Sequence, residues 1–154
     1  MSSKRAIAIA LATVIAVPAE GLRQWAYRDP PGILTVCYGH TGGVDPTRKY
    51  TMDECKALLD KDMLNAVSTV DSCRPGLPAN VLAAFSDAVY NIGPTVACDS
   101  SRSTAARYLA AGQIKDACNQ LPRWSKARVG GVMVTLPGLT KRRAMERDLC
   151  LSGL

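Results

Sequence analysis

Apolar residues recur at helical spacing through the middle of the chain. Over residues 52–71 they form one stripe, and Thr51 with Glu54 supplies the capping box that begins such a helix. A second stripe starts behind Pro78 and ends at Gly93-Pro94, the punctuation expected after a helix. The pattern therefore predicts two long helices in the centre of the chain.

Shorter helical patterns follow over residues 103–111 and 113–121, and a final helix is predicted from about residue 140 to residue 151. Gly130-Gly131 and Pro137-Gly138 flank a stretch predicted to be a loop or a short extended piece. No internal repeat, low-complexity segment or long linker divides the chain, whose length suits one domain.

The pattern near the front of the chain is different. Residues 25–27 and 33–38 are rich in β-forming side chains, and the Asp-Pro-Pro-Gly sequence between them favours a turn. This pattern predicts a small β-hairpin. A few strands followed by many helices indicate an α+β fold that is mainly helical.

An apolar segment opens the chain. Residues 6–19 are fourteen residues without a charge and follow Lys4-Arg5, an arrangement typical of an export signal. As a helix this segment would span about 21 Å, less than the ~30 Å of a membrane's hydrocarbon core, so it would be a poor permanent anchor. Val17-Pro18-Ala19 also resembles a signal-peptidase site, which leaves cleavage before Glu20 open.

Charge and composition narrow the classes of function. Nineteen Lys and Arg against thirteen Asp and Glu give a net charge of +6, which attracts polyanions such as nucleic acid, anionic lipid or an acidic wall polymer. No nucleic-acid-binding motif is present, so nucleic acid is not an expected partner. A single His and the lack of a Cys-x-x-Cys pair argue against a metal site, and no cofactor is expected.

Six cysteines are spread along the chain: Cys37, Cys55, Cys73, Cys98, Cys118 and Cys150. An even number in a small chain favours three disulfides and an oxidising compartment, with fifteen pairings possible. Six buried free thiols in a cytosolic protein are the alternative.

Glu20, Asp29 and Thr35 lie in the predicted hairpin or just before it. Hydrolysis of an acetal needs one carboxylic acid to protonate the leaving oxygen, and a second carboxylate to direct water or to form a covalent intermediate. A Glu before the hairpin, an Asp at its turn and a Thr on its returning strand suit one cleft. The thirteen acidic residues offer many other pairs, however, and Asp29-Pro30 equally suits a turn without a chemical role.

The residues around this trio carry a more specific signal. Glu20-Gly21-Leu22-Arg23, Trp25-Ala26-Tyr27-Arg28-Asp29 and the sequence LTVCYGHTG of residues 34–42 resemble the active-site signature of phage-type lysozymes, glycoside hydrolase family 24. That signature is Glu, eight residues, Asp, five residues, Thr, and then a Gly-His step. Segments at 50–59, 87–93, 118–124 and 138–147 resemble later parts of the family, so the resemblance covers nearly everything from Glu20 onward.

The resemblance implies a lysozyme-like fold, with a small β-hairpin lobe and a helical C-terminal lobe. It implies that Glu20 is the general acid, that Asp29 stays ionised and orients a water, and that Thr35 holds the same water. Such a water implies inversion, with the carboxylates about 6.5–9.5 Å apart. The expected activity is hydrolysis of the β-1,4 bond between N-acetylmuramic acid and N-acetylglucosamine in peptidoglycan, leading to host cell lysis.

Further roles follow from the same resemblance. Asp87 and Asn91, four residues apart on one helix face, are expected to contact the substrate. Arg142 and Arg143 begin the predicted last helix and either bind anionic peptidoglycan or remain solvated charges. His40 and Trp124 are expected to be structural. The implied disulfides are Cys37–Cys55, Cys118–Cys150 and, for the remaining two cysteines, Cys73–Cys98.

The resemblance also implies that the apolar segment has two locations, the membrane and the protein core, which it cannot occupy at the same time. In this fold the residues before the catalytic Glu form a helix in the protein core, whereas here they are an export segment. This is similar to the signal-arrest-release arrangement of some phage endolysins, in which an uncleaved segment tethers the enzyme to the inner membrane and then escapes. Residues 1–19 are therefore interpreted as this segment and first helix, and residues 20–154 as the catalytic domain. The expected product is a periplasmic monomer in a Gram-negative host, transiently bound to the inner membrane through residues 6–19.

Two rival functions remain open. A lytic transglycosylase cleaves the same bond with one acidic residue, but it needs no positioned water, and Asp29 and Thr35 argue against it. A cationic wall-binding or membrane-disrupting protein would use the basic surface and the apolar segment, and would not depend on Glu20.

Overall fold

The computed structural model describes residues 1–154, which form seven α-helices, a short 3-10 helix and five strands. In chain order these are α1 (Ser3–Glu20), β1 (Arg23–Arg28), β2 (Leu34–Cys37), β3 (His40–Thr41), α2 (Met52–Cys73), α3 (Ala79–Ile92), α4 (Thr95–Cys98), α5 (Thr104–Ala110), α6 (Ile114–Gln120), the 3-10 helix (Leu121–Arg123), β4 (Lys126–Val129), β5 (Val132–Thr135) and α7 (Pro137–Ser152). The α+β prediction is confirmed. None of the helices has both the length and the apolar character needed to cross a membrane.

Helix α3 is the centre of the helical lobe, and α1, α2 and α7 pack around it. The sequence predicted one apolar face for α3, but every residue from Val81 to Val89 is buried. Small residues on its other sides (Ala83, Ala84, Ser86 and Ala88) allow neighbouring helices to approach from every direction. A helix enclosed in this way is the usual core helix of a larger helical domain.

Helix α1 contains the apolar front segment and ends at Glu20. Its Ala8, Ala12 and Ala16 are fully buried in the same core cluster as α3. These alanines are spaced by four residues, so they lie on one side of the helix and permit close packing. Gly21, at φ 68°, then turns the chain into β1.

The β lobe is a three-stranded antiparallel sheet in the order β1-β2-β3. Tyr27 is opposite Thr35 in the ladder, and the pairing is irregular between Arg23 and Tyr27. The predicted hairpin is confirmed, with β3 as an additional short strand. Helix α2 begins at the predicted capping box and joins this lobe to the helical lobe.

Three disulfides tie the elements together: Cys37–Cys55, Cys73–Cys98 and Cys118–Cys150. They link β2 to α2, α2 to α4, and α6 to α7. These are the pairings that the family resemblance implied.

The C-terminal part differs from the prediction in two places. Gly130 and Gly131, both with positive φ, form the turn of the antiparallel hairpin β4–β5; β5 is the short extended piece predicted between them and Pro137-Gly138, whereas its pairing with β4 was not predicted. Helix α7 begins at Pro137, three residues earlier than predicted, because Pro is favourable in the first turn of a helix. Pro137-Gly138 is therefore the start of the helix.

Candidate active site

A cavity of about 650 Å³ lies between the β lobe and the helical lobe. The β lobe contributes Tyr27 and Asp29 to its wall, and the helical lobe contributes Glu20, Asn91 and Arg142. The fold thus brings two of the three predicted catalytic residues to one cavity, from opposite sides of the lobe boundary.

Glu20 is held at the last residue of α1, with its side chain 16% exposed. Nη1 of Arg142 donates a hydrogen bond of 2.5 Å to Oε1 of Glu20. The backbone of Gly39 lies close to the same carboxyl group: a Cβ added to Gly39 would lie 2.6 Å from Cδ and Oε2 of Glu20. The carboxyl is therefore fixed by an ion pair on one side and by bare backbone on the other.

Arg142 connects Glu20 to the core helix α3. Its Nε and Nη2 donate to the two carboxylate oxygens of Asp87, at 2.9 and 2.8 Å, while Nη1 holds Glu20. Burial opposes the charge of Arg142, but the hydrogen bonds and charge of Asp87 and the charge of Glu20 raise its pKa above the usual value. Arg142 remains a cation in the protein interior and sets the distance between α1, α3 and α7.

Asp29 lies at the turn after β1, as predicted. The backbone N–H of Ile33 donates to Oδ1 of Asp29 at 2.7 Å, and the N–H of Gly32 donates to the carbonyl of Asp29 at 2.8 Å. Its Oδ2 has no protein donor. Asp29 therefore has one oxygen that anchors the turn and one that is available in the cavity.

Thr35 is placed differently from the other two residues. It is 2% exposed and is not part of the cavity wall, and its hydroxyl donates to the carbonyl of Ile33 at 2.8 Å. It is opposite Tyr27 in the β1–β2 ladder. Burial first, and then the charge of Glu20, raise the pKa of Tyr27, which the cation of Arg23 at 4.3 Å opposes.

The predicted substrate-binding residues need a correction. Asp87 and Arg143 have no exposed surface, and Arg142 is only 3% exposed, so these are neither solvated charges nor an open sugar-binding surface. Each is paired with a buried partner: Arg142 with Asp87 and Glu20, and Arg143 with Glu146, 2.6 Å away. Of the four residues, Asn91 and Arg142 line the cavity.

His40 forms two contacts that fit a structural role. Nδ1 lies 2.5 Å from Oδ2 of Asp62 on α2, and Nε2 lies 3.0 Å from the carbonyl of Gly42. These contacts join the short strand β3 to the helix that links the lobes. Gly39, just before it, also lines a second recess of about 240 Å³ with Asp62 and Tyr90.

Sequence reasoning missed part of the cavity wall. Lys126 and Arg128 line it from β4, and the half-buried Trp124 lines it as well as packing against the core. Lys126 and Arg128 are two residues apart, so in a strand both side chains lie on one face. This spacing would have indicated a positively charged strand face if a strand had been predicted here. Gly39 belongs to the family motif, but its position against Glu20 arises only from the tertiary structure.

The chain matches the family model described as phage lysozyme over residues 18–146. The match includes Glu20, Asp29 and Thr35. The chain belongs to the phage lysozyme family. The prediction of a glycoside hydrolase that cleaves peptidoglycan is confirmed by this membership, and the phage lysozyme fold accounts for both lobes.

A curated relative, the SAR-endolysin of Bacteriophage PS119, is 43% identical over 136 residues, which cover 87% of this phage lysozyme and 77% of the relative. Among solved structures, the active form of P1 phage endolysin Lyz superposes with a TM-score of 0.78 at 27% identity, covering 93% of this chain and 84% of that one. The secreted inactive form of the same endolysin gives a TM-score of 0.55 and covers 73% and 76% of the two chains. The arrangement described above is thus more similar to the active form.

Proposed function

We propose that this phage lysozyme hydrolyses the β-1,4 bond between N-acetylmuramic acid and N-acetylglucosamine with inversion of configuration, and that this reaction lyses the bacterial host. The observation that carries the proposal is the shared cavity of Glu20 and Asp29, two carboxyl groups held by different lobes. A glycan strand lying between the lobes would have one carboxyl group on each side of the scissile bond.

Glu20 is assigned as the general acid. It has to give a proton to the leaving oxygen, so it must be protonated when the sugar is in place. Its position suits this role because Arg142 and Gly39 leave the carboxyl little freedom to move. A donor held in one orientation avoids the entropy loss of finding that orientation in each catalytic cycle.

Asp29 is assigned as the base that orients the attacking water. Its Oδ1 is tied to the backbone of Ile33, and its Oδ2 is left to accept a hydrogen bond from water. The water gives its proton to this carboxylate as it attacks the anomeric carbon. Thr35 is assigned to the same water; its hydroxyl proton is directed at the carbonyl of Ile33, which leaves the oxygen lone pairs of Thr35 as acceptors.

The remaining wall supports a peptidoglycan substrate. Trp124 offers an aromatic surface to a sugar ring, and Asn91 offers an amide for hydrogen bonding. Lys126 and Arg128 place two cations at the edge of the cavity, where the carboxylates of the peptide stems on muramic acid would lie. A neutral polysaccharide such as chitin would not use these two charges.

Export and release are proposed for the front segment. The relatives named as SAR-endolysins support a route in which residues 6–19 first lie in the inner membrane and later join the folded monomer in the periplasm. The structure supports the last step, since Ala8, Ala12 and Ala16 pack in the core and Glu20 ends the same helix. While these residues are in the membrane, the acid has no helix to position it.

The test is Glu20→Gln, assayed by release of soluble fragments from purified peptidoglycan. Removal of a general acid is expected to lower kcat by about 10²- to 10⁴-fold, and the surface variant Glu54→Gln is expected to retain wild-type activity. Unchanged activity of Glu20→Gln would refute the proposal and favour the cationic wall-binding function.

Analysis of the wild-type products separates the two enzymatic mechanisms. Reducing muramic acid ends formed first as the α anomer are the expected products of inverting hydrolysis. Anhydromuramic ends would identify a lytic transglycosylase, and β-anomeric ends would identify a retaining mechanism.

A further inference from the structure

Behind Glu20 lies a cluster of five ionisable groups that crosses the helical lobe. It contains the carboxyl groups of Glu20, Asp87 and Glu146 and the guanidinium groups of Arg142 and Arg143. The side chains of Asp87, Glu146 and Arg143 have no exposed surface, and that of Arg142 is 3% exposed. Only Glu20, at 16%, reaches solvent in the cavity. The assigned reaction uses Glu20 and leaves Glu146 without a role.

The carboxyl group of Glu146 shares this buried cluster with that of Asp87. Both oxygens of Asp87 already accept hydrogen bonds from Arg142, as a carboxylate does. Oε1 of Glu146 accepts from Arg143, while Oε2 has no donor from any residue. Three carboxylates would outnumber the two guanidinium cations in a cluster that solvent reaches only at Glu20, and the buried Oε2 without a donor makes Glu146 the group that carries a proton. Burial first, and the contact with Asp87 second, raise the pKa of Glu146 well above its usual value.

The charges of the cluster then balance. With Glu146 neutral, the carboxylates of Glu20 and Asp87 offset the cations of Arg142 and Arg143. When Glu20 gains the proton that a general acid needs, this balance is lost, and a buried group would carry an unpaired positive charge. An uncompensated charge in the interior is strongly unfavourable. Loss of the Glu146 proton at the same time restores neutrality.

We propose that Glu146 is a positioning residue for the acid step, which releases its proton when Glu20 takes one up, so that the cluster keeps a single proton. Each proton is exchanged with solvent, and no direct relay between the two residues is needed. Arg143 faces the charged form of Glu146 and has two further buried donors, Nε and Nη1, without acceptors. The inference rests on the proposed role of Glu20 and explains how an acid paired with an arginine can become protonated.

The groups that face Glu146 come from two helices. Asp87 and the amide of Asn91 belong to α3, and Arg142 and Arg143 belong to α7 itself. Glu20 at the end of α1 acts through Arg142. The other elements packed on α7 are α6 and the 3-10 helix, whose buried residues are the non-titrating Ala117, Cys118 and Leu121. No further titrating group therefore competes for the proton.

The first experiment compares pH profiles of kcat/KM for wild type, Glu146→Gln and the exposed-site control Asp60→Asn. Gln reproduces the shape of neutral Glu146 but cannot ionise. Protonation of Glu20 then makes the cluster positive, so the alkaline fall in activity is expected to move toward acid by on the order of one pH unit. Asp60→Asn is expected to keep the wild-type profile. A Glu146→Gln profile that coincides with wild type overturns the proposal, since Glu146 would then stay neutral throughout.

A second experiment leaves Glu146 intact and therefore does not depend on that variant folding. The side-chain carboxyl carbon of Glu146 is followed by NMR through a pH titration in wild type and in Glu20→Gln. A permanently neutral residue 20 imitates the protonated acid, so Glu146 is expected to ionise at lower pH in the variant. An identical titration overturns the proposal. These results are distinguishable from a failure of the proposed function. The acid role of Glu20 is refuted only if Glu20→Gln still degrades peptidoglycan, whereas the role of Glu146 is judged from the pH profile and the NMR titration.

Discussion

The backbone of Gly39 lies against the carboxyl group of Glu20, leaving no space for a side chain. A Cβ at position 39 would lie 2.6 Å from two atoms of that carboxyl group, which is also held by Arg142. The hydrogen bond to Arg142 and the contact with Gly39 together define where the acid points. The Gly-His step of the family motif therefore has a steric purpose at its first residue.

Gly39→Ala is expected to fold and to lose activity. The methyl group displaces the Glu20 carboxyl, and a displacement on the order of 1 Å costs about 10²-fold in rate. The measurement is kcat on purified peptidoglycan together with the thermal midpoint.

The control for this prediction is Gly42→Ala. Gly42 has nearly the same backbone angle, φ 86° against 82° for Gly39, but nothing within 4 Å of an added Cβ. Both variants carry the same backbone strain of about 1–2 kcal/mol. Equal losses of activity in the two variants would show that strain, not displacement of Glu20, is responsible.

Ala12→Leu is expected to block the refolding of the released front segment. Ala12 is fully buried in the core, and extra methylenes at such a site cost about 1–3 kcal/mol. Ala10→Leu, two residues earlier on the exposed side of α1, adds the same hydrophobicity without touching the core. The measurement is the fraction of protein in the membrane and the lytic activity of the soluble fraction.

The pair of variants separates two effects of hydrophobicity. Both are expected to stay longer in the membrane, but only soluble Ala12→Leu is expected to have low activity per molecule. If the two soluble proteins are equally active, the packing of α1 is not what completes the active site.

Glu54→Gln is expected to lower stability in a pH-dependent way. The hydrogen bond from Arg48 first, and that from the Thr51 backbone second, lower the pKa of Glu54 from 4.5 to about 2. A lowered pKa in the folded state gives stability that is complete above about pH 4.5 and is lost as the pH falls to about 2.

The check is the thermal midpoint of wild type and Glu54→Gln between pH 7 and pH 2. Their difference is expected to be constant above pH 5 and to vanish near pH 2. Asp53 lies in the same first turn of α2, but its side chain has no hydrogen-bond partner. Asp53→Asn is therefore expected to change the thermal midpoint less than Glu54→Gln does. A difference that persists at pH 2 would contradict the assignment to the carboxylate.

Asp87→Asn is expected to destabilise the protein by about 3–5 kcal/mol, because it leaves the buried Arg142 without its main partner. Urea unfolding at pH 7 measures the loss. The matched control is Asp148→Asn. Asp148 forms an ion pair with Arg147 at 3.6 Å, and its side chain is 73% exposed. An exposed pair contributes about 0–1 kcal/mol, so similar changes in both variants would mean that the buried pair adds little.

The local features of the chain were predictable because they depend on near neighbours. The capping box of α2, the turn at Asp29 and the helix end at Gly93 are each formed by residues within a few positions of one another. The extended piece that forms β5 was one of two predicted alternatives, but strand β4 and its pairing with β5 were not predicted. The start of α7 was predicted three residues late because Pro137-Gly138 was assigned to the segment that precedes the helix.

The candidate site was predictable to the extent that the family motif records it. Glu20 and Asp29 were named from their spacing and lie at one cavity, whereas Lys126, Arg128 and Gly39 were not identified as part of the site. These residues act on substrate or acid through contacts between segments far apart in sequence, which no local pattern contains.

The sequence by itself determined the helices, the hairpin and the family, and it supplied the two carboxyl residues, Glu20 and Asp29, that are proposed as the catalytic pair. Only the tertiary structure decided which charges are buried: Asp87, Arg142, Arg143 and Glu146 look like surface residues in the sequence. The physical reason is that an ionisable side chain can be buried only where an opposite charge pairs with it or where it is neutral because of its protonation state. Those partners come from α1, α3 and α7, which are distant in the chain and adjacent in the fold.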